Sequence, residues 1–231
     1  MDNHFFVDEP NLHKLTEIEI KGQEARHASK VLRKQEEDRI FLANGKGCKA
    51  IAEIVHIQKN NIKLTIRSLE EQIKPETSLV LAIGVIKNRD RFEFAIEKAV
   101  ELGATTICLF NADHSERTRI KEERIEAILQ SAFKQAGRWW MPNLISKPDL
   151  KSVLFEFADH DMIMAHEKVD KQKPAFSDKR EKLLLVGPEG GFSDKEVNLI
   201  NQAGGSLISL GENRLRTETA VTALLSQFLY H

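Results

Sequence analysis

The sequence has little cysteine and no long apolar run. Its only two cysteines are Cys48 and Cys108, far apart in the chain, so neither a disulfide framework nor a cysteine zinc site can be built from them. The longest apolar stretches, such as residues 79–86, are far too short to cross a bilayer. The N-terminus carries acids where a signal peptide would need a basic region. We therefore expect a cytoplasmic protein with no membrane segment.

A metal-binding pattern and an excess of one charge are also missing. The eight histidines show no H-E-x-x-H spacing, and we expect no metal site. The formal net charge is −1, which excludes a uniformly basic nucleic-acid binder. Basic residues nevertheless cluster within residues 27–34, 87–91 and 117–121. Any one of these clusters, taken alone, is more simply a solvated helix face.

Apolar and polar residues mostly alternate in the first third of the chain. The alternation is clearest at residues 18–20, 40–42 and 62–66, and it indicates strands with one buried face. Asn44-Gly45 and residues 59–61 fall between these runs and suit tight hairpin turns. Several short strands joined by hairpins predict a small β-barrel.

The predicted barrel has an inserted helix and a clear end. The helix lies around residues 23–33, where apolar residues share one face. The stretch at residues 71–78 is polar and contains Pro75, which is typical of a linker. We therefore predict a β-barrel domain at residues 1–70 and a second domain at residues 79–231.

Buried runs and helical periodicity alternate in the second domain. Strands are predicted at residues 79–86, 105–110, 162–165 and 182–186, and helices at residues 89–102, 125–136, 194–203 and 218–229. This order predicts an α/β fold with a mostly parallel sheet between helices. Ligands of such sheets bind beyond the carboxyl ends of the strands. The loops that follow the strands are therefore the candidate functional site.

A glycine-rich loop, Gly187-Pro188-Glu189-Gly190-Gly191, follows the strand at residues 182–186. It leads into a capping box that starts at Ser193, and glycines let backbone N–H groups approach a ligand closely. Such a loop can cradle a phosphate. It lacks the Lys-Ser/Thr of a P-loop and is not a G-x-G-x-x-G motif, so a nucleotide-phosphate enzyme is poorly supported. A purely structural turn stays open for this motif alone.

Two more loops follow predicted strands. In the run LGENRLRTETA at residues 210–220, Arg214 and Arg216 lie at the start of a helix. Positive charges there oppose the helix dipole, and this conflict favours a functional role. Ala165-His166-Glu167 follows the strand at residues 162–165, and as an isolated motif it would be an ordinary surface turn.

Five sequence motifs, considered together and in their order along the chain, are more specific than any one of them alone. They are HASKVLR (27–33), FEFAIEKAVELG (92–103), KQAGRWWMPNL (134–144), LLLVGPEGGFSDKE (183–196) and LGENRLRTETA (210–220). The combination resembles the bacterial ribosomal RNA uridine N3-methyltransferase family of the SPOUT superfamily, over essentially the whole chain. Two departures show: Asn213 stands where the family usually has Arg, with Arg214 one place later, and Lys134 stands where it often has Glu.

The resemblance implies an architecture and an activity. It implies a PUA-like β-barrel that grips RNA, followed by a SPOUT α/β methyltransferase domain whose last segments thread into a trefoil knot. It implies a homodimer with S-adenosylmethionine as cofactor and no metal. The implied reaction is methylation, at N3, of one uridine in the 16S ribosomal RNA of the small ribosomal subunit.

The resemblance also implies roles for particular residues. Cofactor contacts are expected from His166, Glu167, Gly187, Pro188, Glu189, Gly190, Gly191, Leu210, Gly211, Leu215 and Thr217. Uridine N3 must lose a proton before it is methylated, so we expect Arg216 to stabilise the uracil anion and Glu189 or Glu218 to accept the proton. RNA contacts are expected from Arg26, His27, Lys30, Arg33, Arg89 and Arg138.

Two alternatives stay open at this point. The chain could be a SPOUT methyltransferase that acts on another RNA, such as transfer RNA. It could instead be a non-catalytic RNA-binding factor for ribosome assembly that kept the fold. The intact GPEGG and LRTETA runs argue against the second alternative, because a pure binder need not keep cofactor loops.

Overall fold

A computed structural model describes residues 4–116, 121–167, 169 and 181–229 of the chain. The described chain divides into two compact units. The first unit contains the chain up to Lys74 together with Phe133–Met141, and the second contains Pro75–Ala132 and the chain from Pro142 onward. The division after Lys74 falls inside the stretch that we interpret as a linker. The domain boundaries that the sequence suggests stay predictions.

The first unit is built on a five-stranded sheet. Its strands are β1 (His4–Phe6), β2 (Glu17–Lys21), β3 (Arg39–Ala43), β4 (Cys48–Gln58) and β5 (Asn61–Glu71), in the order β1-β3-β4-β5-β2. All neighbours are antiparallel except β1 and β3. The predicted alternation is confirmed, because Ile20, Leu42 and Leu64 are buried on one face. This sheet is the predicted PUA-like domain.

One helical segment covers the buried face of that sheet. Helix α1 (Gly22–Arg26) continues directly into a π-helical turn, His27–Val31. Ala25 and Ala28 point into the core with Phe5 and Leu12. The segment ends near Arg33, whose φ of 53° lies in the left-handed region.

The segment Phe133–Met141 completes the first unit although it is distant in sequence. Phe133 is fully buried and packs edge-on against Phe6, with ring centroids 6.1 Å apart. The Gly47 N–H donates to the Trp139 carbonyl at 3.0 Å. A Cβ at Gly47 would lie 2.3 Å from the Trp140 ring, so only glycine permits this approach.

The second unit contains a six-stranded parallel sheet. Its strands are β6 (Ser78–Gly84), β7 (Thr106–Phe110), β8 (Asn143–Lys147), β9 (Asp161–Ala165), β10 (Glu181–Val186) and β11 (Ser206–Ile208), in the order β11-β9-β10-β6-β7-β8. Every described pairing in it is parallel. The predicted parallel α/β fold is confirmed. The threading of a knot stays a prediction.

The helices of the second unit cover this sheet. They are α2 (Arg89–Glu101), α3 (Glu122–Ala136), α4 (Leu150–Glu156), α5 (Asp194–Gln202) and α6 (Thr217–Leu225), and α3 runs on into the first unit. Helix α2 starts where the Asn88 side chain accepts from the Arg91 N–H at 3.1 Å. The apolar stripe of α6 packs inside this chain, because Val221 and Leu224 are fully buried. Among the described residues, no helix is long and apolar enough to span a membrane.

Candidate active site

The loops after β9, β10 and β11 meet at one edge of the parallel sheet. These strands are neighbours, so their carboxyl ends lie together. The loops enclose a cavity of about 700 Å³. Every residue that we predicted to contact the cofactor, from His166 to Thr217, lines this cavity. The geometry thus brings the three predicted loops together, and cofactor binding by these residues stays a prediction.

The glycine loop after β10 depends on close backbone approaches. The Gly191 N–H donates to the Pro188 carbonyl at 2.9 Å, and Gly191 has a φ of 69°. A Cβ at Gly190 would lie 2.8 Å from the Cβ of His114, closer than real Cβ atoms come. The loop therefore needs glycine both for its left-handed turn and for its contact with the neighbouring loop.

The predicted capping box fixes the loop at the start of α5. The Ser193 hydroxyl accepts from the Glu196 N–H at 3.2 Å, and the Glu196 carboxylate accepts from the Ser193 N–H at 2.9 Å. Glu196 is buried and also accepts from the Asp113 N–H at 3.1 Å. One carboxylate thereby ties the loop after β7 to the loop after β10.

Arg214 connects all three cavity loops. Its guanidinium donates to the Glu189 carbonyl at 3.1 Å, and its Nε lies 3.3 Å from the Glu167 carboxylate. The Arg214 side chain is 70% exposed, so the ion pair adds little stability in water. Its effect is on geometry, because it holds three separate backbone segments around one cavity.

Thr217 joins the start of α6 to the glycine loop. It is buried, and its hydroxyl donates to the Gly187 carbonyl at 3.1 Å. A buried carbonyl without a partner would be costly, so this bond stabilises the end of β10 where the cavity begins.

The residues predicted to be catalytic do not all reach the cavity. Glu189 lines it, and its carboxylate accepts from the Asn88 N–H at 3.5 Å. Arg216 is exposed at the N-cap of α6 and does not line the cavity. Glu218 does not line it either, and its carboxylate lies 3.7 Å from the Arg91 Nε. The catalytic roles of all three stay predictions.

His114 lines the cavity and was missed from the sequence. Its Nδ1 lies 3.1 Å from the Gly190 carbonyl oxygen. It belongs to the loop after β7, so the rule that placed the other loops at this edge would have found it. Ser209 and Glu212 also line the cavity without having been singled out.

Among the described residues that line the cavity, the charged ones are mostly acidic. Four acidic residues are among them, Glu167, Glu189, Asp194 and Glu212, and Arg214 is the one arginine in this described lining. His114 and His166 add imidazoles. An acidic wall with glycine loops suits a ligand that carries a positive charge and offers several hydrogen-bonding groups.

Neither thiol of the chain is available as a nucleophile. Burial raises the pKa of the Cys108 thiol to about 12, and burial also raises the pKa of Cys48. Both side chains are therefore protonated at neutral pH. No group of three or more His, Cys, Asp or Glu in the described part of the chain is arranged to hold a metal ion.

The predicted RNA contacts on α1 and the turn after it differ in exposure. Arg26, Lys30 and Arg33 are exposed on the surface of the first unit. His27 is partly buried, with its ring centroid 5.7 Å from that of Phe5, so it also serves packing. A phosphate can reach the first three directly.

The remaining two residues predicted to contact RNA, Arg89 and Arg138, interact with other parts of the protein. Arg89 is exposed and its Nε donates to the Glu93 carboxylate at 2.7 Å. Arg138 lies in the first unit, and burial lowers the pKa of its guanidinium. Of the cluster at residues 117–121, Arg117 and Arg119 lie outside the described residues. RNA binding by these side chains stays a prediction.

Comparisons with known proteins agree with this architecture. A family model described as an RNA methyltransferase PUA domain matches residues 20–67, and one described as an RNA methyltransferase domain matches residues 74–229. A solved protein from Legionella pneumophila, in complex with the bound cofactor SAM, is 25% identical with a TM-score of 0.84, covering 98% of this chain and 96% of the other.

Two curated relatives match most of their own length as well as most of this chain. Ribosomal RNA small subunit methyltransferase E of Bacillus subtilis is 31% identical, over 91% of this chain and 89% of the relative. The protein of the same name from Rickettsia conorii is 32% identical, over 92% and 89%. With both of its parts matched and its length covered, the chain belongs to the ribosomal RNA small subunit methyltransferase E family.

Proposed function

We propose that this chain transfers a methyl group from S-adenosylmethionine to N3 of one uridine in the 16S ribosomal RNA of the small subunit, in the cytoplasm. The observation that carries the proposal is the convergence of the three predicted loops on one cavity. It is supported by the names of the relatives and by the cofactor in the Legionella pneumophila structure.

The cavity fits this cofactor on chemical grounds. S-adenosylmethionine supplies an activated methyl group on a positively charged sulphur, and it also carries an ammonium group and an adenosine. The carboxylates of Glu167, Glu189 and Glu212 can meet the positive charges. Backbone groups of the glycine loop and of Leu210 can meet the adenosine, since glycine leaves the main chain accessible.

Proton removal from uridine N3 is assigned to Glu189. Glu189 lines the cavity, whereas Glu218 lies beside Arg91 and outside it. Arg216 is assigned to the uracil oxygens, where a guanidinium stabilises the anion that is left.

We also propose that the chain acts as a homodimer. Arg216 is exposed and does not line the cavity of its own chain. Phe94 on α2 and Leu229 after α6 are 46% and 44% exposed, and a subunit contact there would remove apolar surface from water. Sedimentation equilibrium should give twice the monomer mass of 26.3 kDa, and a monomer at all concentrations would overturn this.

The activity is tested by methyl transfer from labelled S-adenosylmethionine. Small ribosomal subunits, naked 16S ribosomal RNA and transfer RNA are offered separately, and the product nucleoside is identified by mass spectrometry. We expect 3-methyluridine in ribosomal RNA.

Each other outcome removes part of the proposal. Label in transfer RNA alone would keep the enzyme class and overturn the substrate. Cofactor binding without any label would overturn the proposed substrate. A chain that binds no cofactor in a calorimetric titration would be the non-catalytic factor.

A further inference from the structure

A second pocket lies in the first unit, on the sheet face opposite its core. It has a volume of about 200 Å³. Its floor is one row of paired residues across four strands: His4 pairs with Phe41, Phe41 with Ile51, and Ile51 with Ser68. Side chains alternate along a strand, so these residues point away from the core that contains Phe5. The row leaves aromatic and apolar surface partly open to solvent.

Trp139 and Lys49 form the wall of this pocket. The Lys49 ammonium lies 4.2 Å from the centroid of the Trp139 ring and donates to the Gly137 carbonyl at 2.7 Å. An ammonium has three N–H donors, so Lys49 has further donors to offer a ligand. Burial lowers the pKa of Lys49 from its ordinary value, and the neighbouring Glu70 carboxylate opposes that shift.

The pocket therefore offers flat aromatic walls and a hydrogen-bond donor at one edge. Glu70 pairs with Lys49 across β4 and β5 and also lines the pocket, so a ligand here meets two charged groups and needs polar atoms of its own. A planar ring with a carbonyl oxygen at its edge would satisfy both features. Proteins hold unpaired bases of RNA in this way, with the ring on aromatic side chains and its edge hydrogen-bonded.

We propose that this pocket takes one unpaired nucleobase of the RNA, packed against Phe41 and Trp139, with a base carbonyl accepting from Lys49. This proposal depends on the proposed function in one respect, namely that the substrate is RNA. The pocket belongs to the unit that contains the residues matched by the PUA model, and not to the unit with the cofactor cavity. It would hold the RNA by one base while another base is methylated.

The test is the affinity of the full chain for a fluorescein-labelled single-stranded oligouridylate, measured by anisotropy. Phe41→Ala should weaken binding about tenfold or more, because stacking on one aromatic side chain typically contributes that much. Lys49→Met should weaken it as well, and Lys49→Arg less. Val55→Ala is the matched control, since Val55 is 52% exposed on β4 and does not line the pocket.

A second measurement does not depend on changing the pocket. In a Trp140→Phe chain, Trp139 is the only tryptophan, and a base stacked on it should quench its emission. Unchanged emission at saturating oligouridylate, or equal affinity of the folded Phe41→Ala chain and the unaltered chain, would overturn the proposal.

The proposed function is judged separately in the same preparations. Calorimetry with S-adenosylmethionine should give the same affinity for all these variants, because the cofactor cavity lies in the other unit. If the unaltered chain methylates small subunits while Phe41→Ala leaves oligouridylate binding unchanged, only the base pocket is lost. If the unaltered chain methylates no RNA, the proposed function fails whatever the oligouridylate does.

Discussion

Arg214 and Arg216 are two residues apart at the start of α6 and have different surroundings. Arg214 lines the cavity and contacts Glu167 and the Glu189 carbonyl. Arg216 is exposed, does not line the cavity, and contributes its carbonyl to the first bond of the helix. From the sequence, both arginines are unfavourable at a helix N-terminus. Only the structure distinguishes Arg214, which holds the cavity loops together, from Arg216, which is exposed and available to the RNA.

Replacing each arginine should therefore affect a different step. Arg216→Ala should lower kcat for methyl transfer about 100-fold or more, as the loss of an anion-stabilising donor does, and leave the cofactor Kd unchanged. Arg214→Ala should weaken cofactor binding about fivefold, because the exposed contacts that hold the loops are lost. Calorimetry gives the Kd values, and single-turnover methylation of small subunits gives the rates.

A comparison of the two arginine variants can contradict the role assigned to Arg216. Near-normal turnover of Arg216→Ala would remove its proposed role at the uracil oxygens. Loss of cofactor binding in Arg216→Ala, with Arg214→Ala unaffected, would exchange the two assignments.

At the scale of elements, the last residue of β6 packs against the glycine loop that follows β10. Gly84 is the last residue of β6 and does not line the cavity. A Cβ at this position would lie 2.7 Å from Pro188 Cδ and 3.0 Å from the Pro188 nitrogen. The second of these atoms is backbone, so the loop itself would have to move.

Gly84→Ala should consequently weaken cofactor binding about tenfold, since overpacking of this kind displaces backbone. The control is Gly103→Ala, at a glycine with a φ of 92° and open space around it. That variant should lose about 1 kcal/mol of unfolding free energy through backbone strain and keep its cofactor affinity. Calorimetry and urea denaturation of both variants provide the comparison. Equal cofactor affinity of the two variants would show that the position of Pro188 does not depend on a glycine at residue 84.

The elements that the sequence predicted are the ones with strong periodicity. Helix α2 and strand β6 are examples, because each has a long apolar pattern and α2 has a cap at Asn88. Strands β1 and β11 have only three residues each, too few for alternation to be visible. Helix α4 is short as well, although Asp149 before its apolar residues is a start signal that could have revealed it.

At the scale of the molecule, the cavity loops were predictable because parallel strands place their ends together. That rule, with the glycine loop, led to the residues that line the cavity. The pairing of Arg214 with Glu167 was not predictable, since it depends on side-chain directions in loops. Nor was the position of residues 133–141 in the first unit, because no local pattern shows which sheet a distant segment will join.

That position leads to a prediction about a fragment cut at the apparent linker. Residues 1–78 alone lack Phe133, which is fully buried beside Phe6, and lack the Trp139 carbonyl that accepts from Gly47. The loss of Phe133 burial alone should cost about 2 kcal/mol of unfolding free energy. The same fragment joined to residues 133–141 by a Gly/Ser linker should unfold at a clearly higher urea concentration. A third fragment with Phe133→Ala in the joined segment should fall between the two, because the backbone bonds to Gly45 and Gly47 stay. If all three fragments unfold at the same urea concentration, the first unit is complete without the distant segment, and the sequence boundary at residue 70 would describe an autonomous domain.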